Sequence, residues 1–309
     1  MARQYNAIEI GSLLRQGINI MEWIRGGEGG RENSPTAIAY SYDAQAGSYT
    51  AAIADPAVRG LKQRAGVRLA ALFDEISPLS ILDAGTGEAT TLAPALHAMK
   101  RRPTHVLGFD ISLSRLLFAR RRLSSEGDGG AELFTGTLDR IPLASSSVDL
   151  VFTFHALEPN RGREEEILRE LLRVTRCRLV MVEPSYELGG AATRARIDRM
   201  GYVCGLPETL ERLGHPARLV ERWGLDANPA NEAALIVVDK PAKPVESSPL
   251  FVSPLSGKPL LRLTDCCYCP EDGHAFPILA GIPCLVSENA LLVSKLGEFQ
   301  QVGTVADRT

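Results

Sequence analysis

Four groups of residues in this 309-residue sequence have types and spacings suited to chemistry. The first is Asp83-Ala84-Gly85-Thr86-Gly87-Glu88, which follows the strand signal Ser80-Ile81-Leu82. Gly85 and Gly87 permit a tight turn, and a backbone without side chains lets a ligand approach closely. The apolar positions after Thr90 return at helical spacing, so a helix N-terminus with unpaired N–H groups lies beside that turn. A polar cofactor is the natural occupant. The second group is Asp110, closing the strand His105-Val106-Leu107-Gly108-Phe109 at the place where a carboxylate holds a nucleotide ribose. The third is Thr153, Phe154, His155 and Glu158, after the apolar run Val148–Phe152, and the fourth is Glu183 with Tyr186, after Leu179–Val182. His155 is the candidate general base, because its unperturbed pKa lies near neutrality. The alternative is that His155 only packs against the cofactor. Glu158, Glu183 and Tyr186 suit the orientation of a polar substrate.

The elements that must position these groups alternate strand and helix. The expected strands are 80–82, 105–110, 131–135, 148–152 and 179–182, with helices at 112–123 and 164–174. This describes an α/β fold with a Rossmann-like sheet covered by helices on both faces, ligands binding at the carboxyl ends of the strands. Ahead of it, apolar spacing over 8–25 predicts one helix, 26–35 a glycine-rich connection, and 56–76 a further helix leading into the first strand. Ser112 is the expected N-cap of the 112–123 helix, whose Arg115 and Arg120 to Arg122 are read as its solvent side. Further on, 191–200 and 207–213 read as helices, and 217–224 pairs with 233–238 as an antiparallel hairpin. The domain boundaries that follow are a lid segment at 1–55, the α/β domain at 56–240, a proline-rich linker at 241–248, a small β-rich unit at 249–295, and a mobile tail at 296–309.

The glycine turn, the carboxylate at Asp110, Asp149 at the head of its strand and the terminal hairpin together resemble class I S-adenosylmethionine-dependent methyltransferases. That resemblance implies S-adenosyl-L-methionine as cofactor, held by Tyr49, Asp83, Gly85, Thr86, Gly87, Asp110, Ile111, Thr137, Leu138, Asp139, Thr153 and Phe154. His155, Glu158 and Tyr186 are the implied acceptor-side residues. The aromatic and acidic segment Tyr40, Tyr42, Asp43, Tyr49 matches the lid of such enzymes loosely, and packing of these tyrosines against the sheet is the alternative. The family commonly has an acidic residue for the adenine amino group where this chain has Thr137; a hydroxyl also accepts, and Asp139 lies two residues on. Methyl transfer needs an acceptor in line with the sulfur–methyl bond, so positioning supplies much of the acceleration and few side chains are obligatory.

The segment opening Phe251-Val252-Ser253-Pro254-Leu255-Ser256, with Phe276-Pro277-Ile278 and Gly281-Ile282-Pro283 closing it, resembles Trm112-like zinc-ribbon domains. Ser253 and Ser256 stand where that family often has cysteines, so no metal is expected. A rearranged site from Cys266, Cys267, Cys269 and His274 is the alternative.

Composition narrows the partners. Hydrophobic residues make up 45%, charged residues 23%, and the formal net charge is −3. That balance argues against broad nucleic-acid binding. No apolar run is long enough to span a membrane and no signal-peptide pattern opens the chain, so a cytoplasmic protein with reduced thiols is expected. A small polar metabolite is the expected acceptor, with RNA or protein the second reading. An NAD(P)-dependent oxidoreductase or a non-catalytic binding module are alternatives of another class. The methylated atom and the oligomeric state are left open.

Overall fold

The structure is a computed structural model that describes residues 5–30 and 32–299. Four helices open it: α1 (Ala7–Arg15), α2 (Ile20–Glu28), α3 (Pro35–Ala44) and α4 (Ser48–Ala52). The single helix expected over 8–25 is therefore two. Gly17 adopts φ 78° and Asn19 caps a new helix by accepting from Glu22 N. The glycines expected in a connection also shift, since Gly26 and Gly27 lie inside α2 and Gly29, in the left-handed region, ends it. Ile20, Met21 and Ile24 bury against Ile10, Ala37 and Ile38 as a small separate core. Burying three such side chains outweighs the roughly 0.5–1 kcal/mol that each helical glycine costs.

The central unit follows as α5 (Pro56–Asp74), β1 (Ser80–Ala84), α6 (Leu92–Ala98), β2 (His105–Asp110), α7 (Leu113–Ser125), β3 (Glu132–Thr135), β4 (Val148–Phe154), α8 (Glu164–Val174) and β5 (Thr175–Pro184). Then come α9 (Ala191–Met200), α10 (Leu206–Arg212), β6 (Leu219–Arg222) and β7 (Ala233–Asp239). The sheet order is β3-β2-β1-β4-β5-β7-β6. β1 to β5 pair in parallel, while β7 runs antiparallel to both its neighbours, forming the expected terminal hairpin. Alternate residues of each strand feed two cores: Leu82, Val151 and Leu179 face α8, and Ile81, Leu150 and Val180 face α5, α6 and α7. Burial on both faces is why these strands read as near-continuous apolar runs. Asp149 pins β4 to β1, its carboxylate accepting from Leu79 N and Ser80 N and pairing with Arg176.

The C-terminal unit is antiparallel. Its strands β8 (Leu261–Arg262), β9 (Cys266–Cys269), β10 (His274–Leu279) and β11 (Ile282–Pro283) lie in the order β11-β10-β9-β8, with β12 (Leu291–Leu292) also on β10 and a 3₁₀ turn at Ser287–Asn289 between. It docks on the open edge of the main sheet. Thr135 bridges Cys284 in parallel, Leu143 bridges Phe251, and the Phe251 ring meets Phe134 edge-on at 5.1 Å. A buried edge removes a template for unwanted strand pairing. Of the tail expected to be mobile, residues 300–309 lie outside the described residues.

Candidate active site

A cavity of about 700 Å³ opens over the carboxyl ends of β1, β2 and β4 and beneath α3 and α4. This is the crevice where the sheet order reverses between β1 and β4, the position at which open α/β sheets bind ligands. Its floor is the glycine turn. Gly85 has φ 82°, and a Cβ there would stand 2.4 Å from the Cβ of Ala156, so only glycine fits. Gly87 N and Ser112 N donate to the two oxygens of Asp110 at 3.0 and 2.9 Å. Burial raises the Asp110 pKa, and those two N–H groups together with nearby Arg115 oppose the rise. The carboxylate is thereby held at the cavity wall, with Ile111 beside it.

The segment lying over the cavity, called the lid for its position alone, is tied down by a residue of the glycine turn itself. Glu88, fully buried, accepts from Gly47 N, Tyr49 N and Thr50 N at 2.9, 3.4 and 2.7 Å. Arg115 reinforces that anchor. Contrary to the solvent-facing expectation, it is 1% exposed, donates to Tyr42 O at 2.9 Å, lies 3.5 Å from Glu88, and sits under the rings of Tyr42 and Tyr49. The reason is helical phase: Arg115 shares the inner stripe of α7 with Leu116, Ala119 and Leu123, a signal that the neighbouring arginine run masked.

At the β4 end, Phe154, His155 and Glu158 line the cavity. His155 has φ 55°, an uncommon conformation for a side-chain-bearing residue and one that concentrates at functional sites. Its Nδ1 contacts Glu158 Oε1, and Asn231 Nδ2 donates to the same oxygen at 3.0 Å. Burial lowers the His155 pKa, but the charge and hydrogen bond of Glu158, with help from Glu183, outweigh it and leave it raised. Glu183 stands behind this loop, accepting from Ala156 N and Leu157 N at 3.1 Å each, and burial raises its pKa to about 7. Lys62 of α5 enters from the opposite wall, donating to Thr91 Oγ1 at 2.9 Å and lying 4.6 Å from the Phe154 ring centroid. Burial lowers its pKa to about 8.

At the β3 end the wall carries Thr137, Leu138 and Asp139, the last paired with Arg163. Three sequence-derived candidates stand off the wall. Asp83 is buried under the turn, accepting from Thr86 Oγ1 at 2.8 Å, and burial raises its pKa to about 7. It positions Thr86, which does line the cavity. Thr153 is fully buried within β4. Tyr186 is 37% exposed and faces Arg194 outside the cavity, because β5 ends before it and the chain turns away into α9. Lys62 and Asn231 were missed, each a lone polar residue whose partner is distant in sequence, so no local pattern marks it; Glu88 lies in the glycine-turn motif, but its partners in 47–50 could not be read from the sequence.

No group of three or more metal-ligating side chains exists among the described residues. Cys266 and Cys269 share β9 three residues apart, so they point to opposite faces and cannot chelate together. The convergence lies elsewhere. Ser253 Oγ donates to Asp272 at 2.7 Å, Ser256 Oγ donates to the same oxygen, and His274 N donates to its other oxygen at 3.0 Å.

Residues 81–178 match the family model described as a methyltransferase domain. No curated protein matches the chain significantly. Among solved structures, the chain is similar to magnesium protoporphyrin IX methyltransferase from Synechocystis PCC 6803 with bound S-adenosylhomocysteine, at 13% identity over 74% of this chain and 99% of that one, TM-score 0.47. It is also similar to a SAM-dependent methyltransferase from Aquifex aeolicus, at 19% identity over 52% of this chain and 81% of that one, TM-score 0.38. A third is geranyl diphosphate C-methyltransferase from Streptomyces coelicolor A3(2), at 12% identity over 56% and 76%, TM-score 0.45. With a methyltransferase domain over its central strands, a glycine cradle and a carboxylate at the end of β2, the chain is an enzyme of the methyltransferase class.

Proposed function

We propose that this methyltransferase acts on a small polar metabolite, with His155 as general base. The observation that carries the reading is the His155–Glu158–Asn231 relay on the wall of a lidded cavity. A cavity of about 700 Å³ lies within the range of small-molecule sites, and a lid held by buried contacts suits a small acceptor better than a polymer. The acidic balance of the chain also speaks against RNA, the second acceptor reading.

S-adenosylmethionine, the cofactor this proposal assigns, supplies an electrophilic methyl group when bound. Asp110 fits its ribose hydroxyls, the glycine cradle fits a closely approaching ligand, and Lys62 offers a cation for a carboxylate near Thr91. The Glu158 contact keeps the ring proton of His155 on Nδ1, leaving Nε2 to take a proton from the acceptor's oxygen, nitrogen or carbon. Glu183 holds the backbone of that loop, and Asn231 holds Glu158. We read the C-terminal unit as a Trm112-like ribbon that needs no zinc, supported by the serine and aspartate cluster at Asp272. No helix is long and apolar enough to cross a membrane among the described residues. A cytoplasmic location is part of this proposal.

The test is incubation of purified enzyme and S-adenosylmethionine with metabolite extracts, followed by mass spectrometry for species gaining one methyl in place of hydrogen. Methylation of RNA or protein, with no metabolite product, would overturn the acceptor assignment.

A further inference from the structure

The sheet order β3-β2-β1-β4 sets a direction in the cavity. His155 stands at the β4 end and the ribose-binding Asp110 at β2. A nucleoside whose sugar sits on Asp110 and whose sulfur faces His155 must send its base the other way, to the end of β3. Adenine presents an exocyclic amino group there, a donor that needs an acceptor once water is displaced.

The C-terminal unit reaches this place. The parallel bridge between Thr135 and Cys284 and the 3.2 Å bond from Leu285 N to Thr135 O set the start of the 3₁₀ turn at Ser287–Asn289 close to the β3 end. Ser287 and Glu288 thereby join Thr137 on the cavity wall. The acidic groups at that end are unequal. Asp139 is committed to Arg163, whose Nε also reaches Glu166 at 3.3 Å. Glu288 makes no hydrogen bond or ion pair among the described residues. Of these carboxylates, it is the one with neither oxygen engaged among the described residues.

We propose that Glu288 accepts the hydrogen bond of the adenine amino group, so that the cofactor site is completed by the C-terminal unit. This rests on the assignment of the cavity to S-adenosylmethionine. Thr137, whose hydroxyl both donates and accepts, remains for a ring nitrogen.

The test is calorimetry of full-length wild type and Glu288→Ala with two probes: S-adenosylhomocysteine, and its analogue carrying purine in place of adenine, which lacks only the amino group. In the wild type the analogue binds about tenfold more weakly, equivalent to about 1.4 kcal/mol. Glu288→Ala binds S-adenosylhomocysteine about tenfold more weakly and no longer separates the two probes. Unchanged affinity in Glu288→Ala, or undiminished discrimination in it, overturns the proposal while leaving the cofactor assignment in place. Failure of the wild type to bind S-adenosylhomocysteine removes the cofactor assignment and this inference with it.

Discussion

The guanidinium of Arg115 lies 4.4 Å from the centroid of the Tyr49 ring, on the inner side of the lid. A buried cation is thus shared between the aromatic lid and Glu88 of the glycine turn. Glu88→Ala removes the acceptor of three lid N–H groups and strands that cation. Breaking a buried pair from one side costs about 3–5 kcal/mol, so chemical denaturation should show a loss of that order. Tyr49→Ala, at a half-exposed position, should cost little stability yet weaken cofactor binding severalfold in calorimetry.

Asp110→Ala leaves Gly87 N and Ser112 N without their acceptor and removes the group proposed to meet the ribose. Hydrogen bonds to a charged acceptor contribute about 1.5–3 kcal/mol each, so affinity for S-adenosylhomocysteine should fall at least tenfold. Unchanged affinity would take Asp110 out of the site.

The pH profile reports on His155. Its pKa is raised above the ordinary 6.5, so the base form, and with it kcat/KM, grows as pH climbs through a limb lying above 6.5. In Glu158→Gln the charge that favours imidazolium is lost and burial, which favours the neutral ring, remains. The limb should move to lower pH, with a lower plateau because the ring is less firmly oriented. A limb that stays put would show that another group titrates.

Lys62 is held against its preference for water, with a folded pKa of about 8 against an ordinary 10.5. A lowered lysine pKa means the charged form is penalised in the fold, fully below pH 8 and progressively less as pH rises to 10.5. Lys62→Met should therefore raise Tm by a few degrees at pH 7, with the gain fading above pH 8, while cofactor affinity drops.

The C-terminal unit should be stable without metal. Burial raises the Asp272 pKa, but the hydroxyls of Ser256 and Ser253 and the His274 N–H outweigh this and hold it at about 2. Elemental analysis should find no stoichiometric zinc, and chelator should leave Tm unchanged. Deleting residues 249–309 should lower Tm, since Phe134 and the β3 edge lose their cover. Zinc retained through dialysis would refute this account.

The sheet was readable because its strands carry long apolar runs between helical repeats, and the turn after β1 was readable because Gly85 and Gly87 both adopt positive φ there. The lid was less so. Gly26 and Gly27 lie in a helix because Ile20, Met21 and Ile24 find a core, and that core is formed by distant residues. Arg115 was misread because a run of arginines hides one inward position. Cys266 and Cys269 imitate a chelating pair in sequence, but strand pleating separates them.

The bridge between Thr135 and Cys284 joins the middle of the chain to its last third. During synthesis the β3 edge must then wait, unpaired, until the C-terminal unit has left the ribosome. Closing so long a loop is slow, because its entropy is lost before the contact forms. The enzyme should therefore refold with a late phase, seen as lagging recovery of cofactor binding after the sheet has formed, and chains cut short before Cys284 should be prone to aggregate.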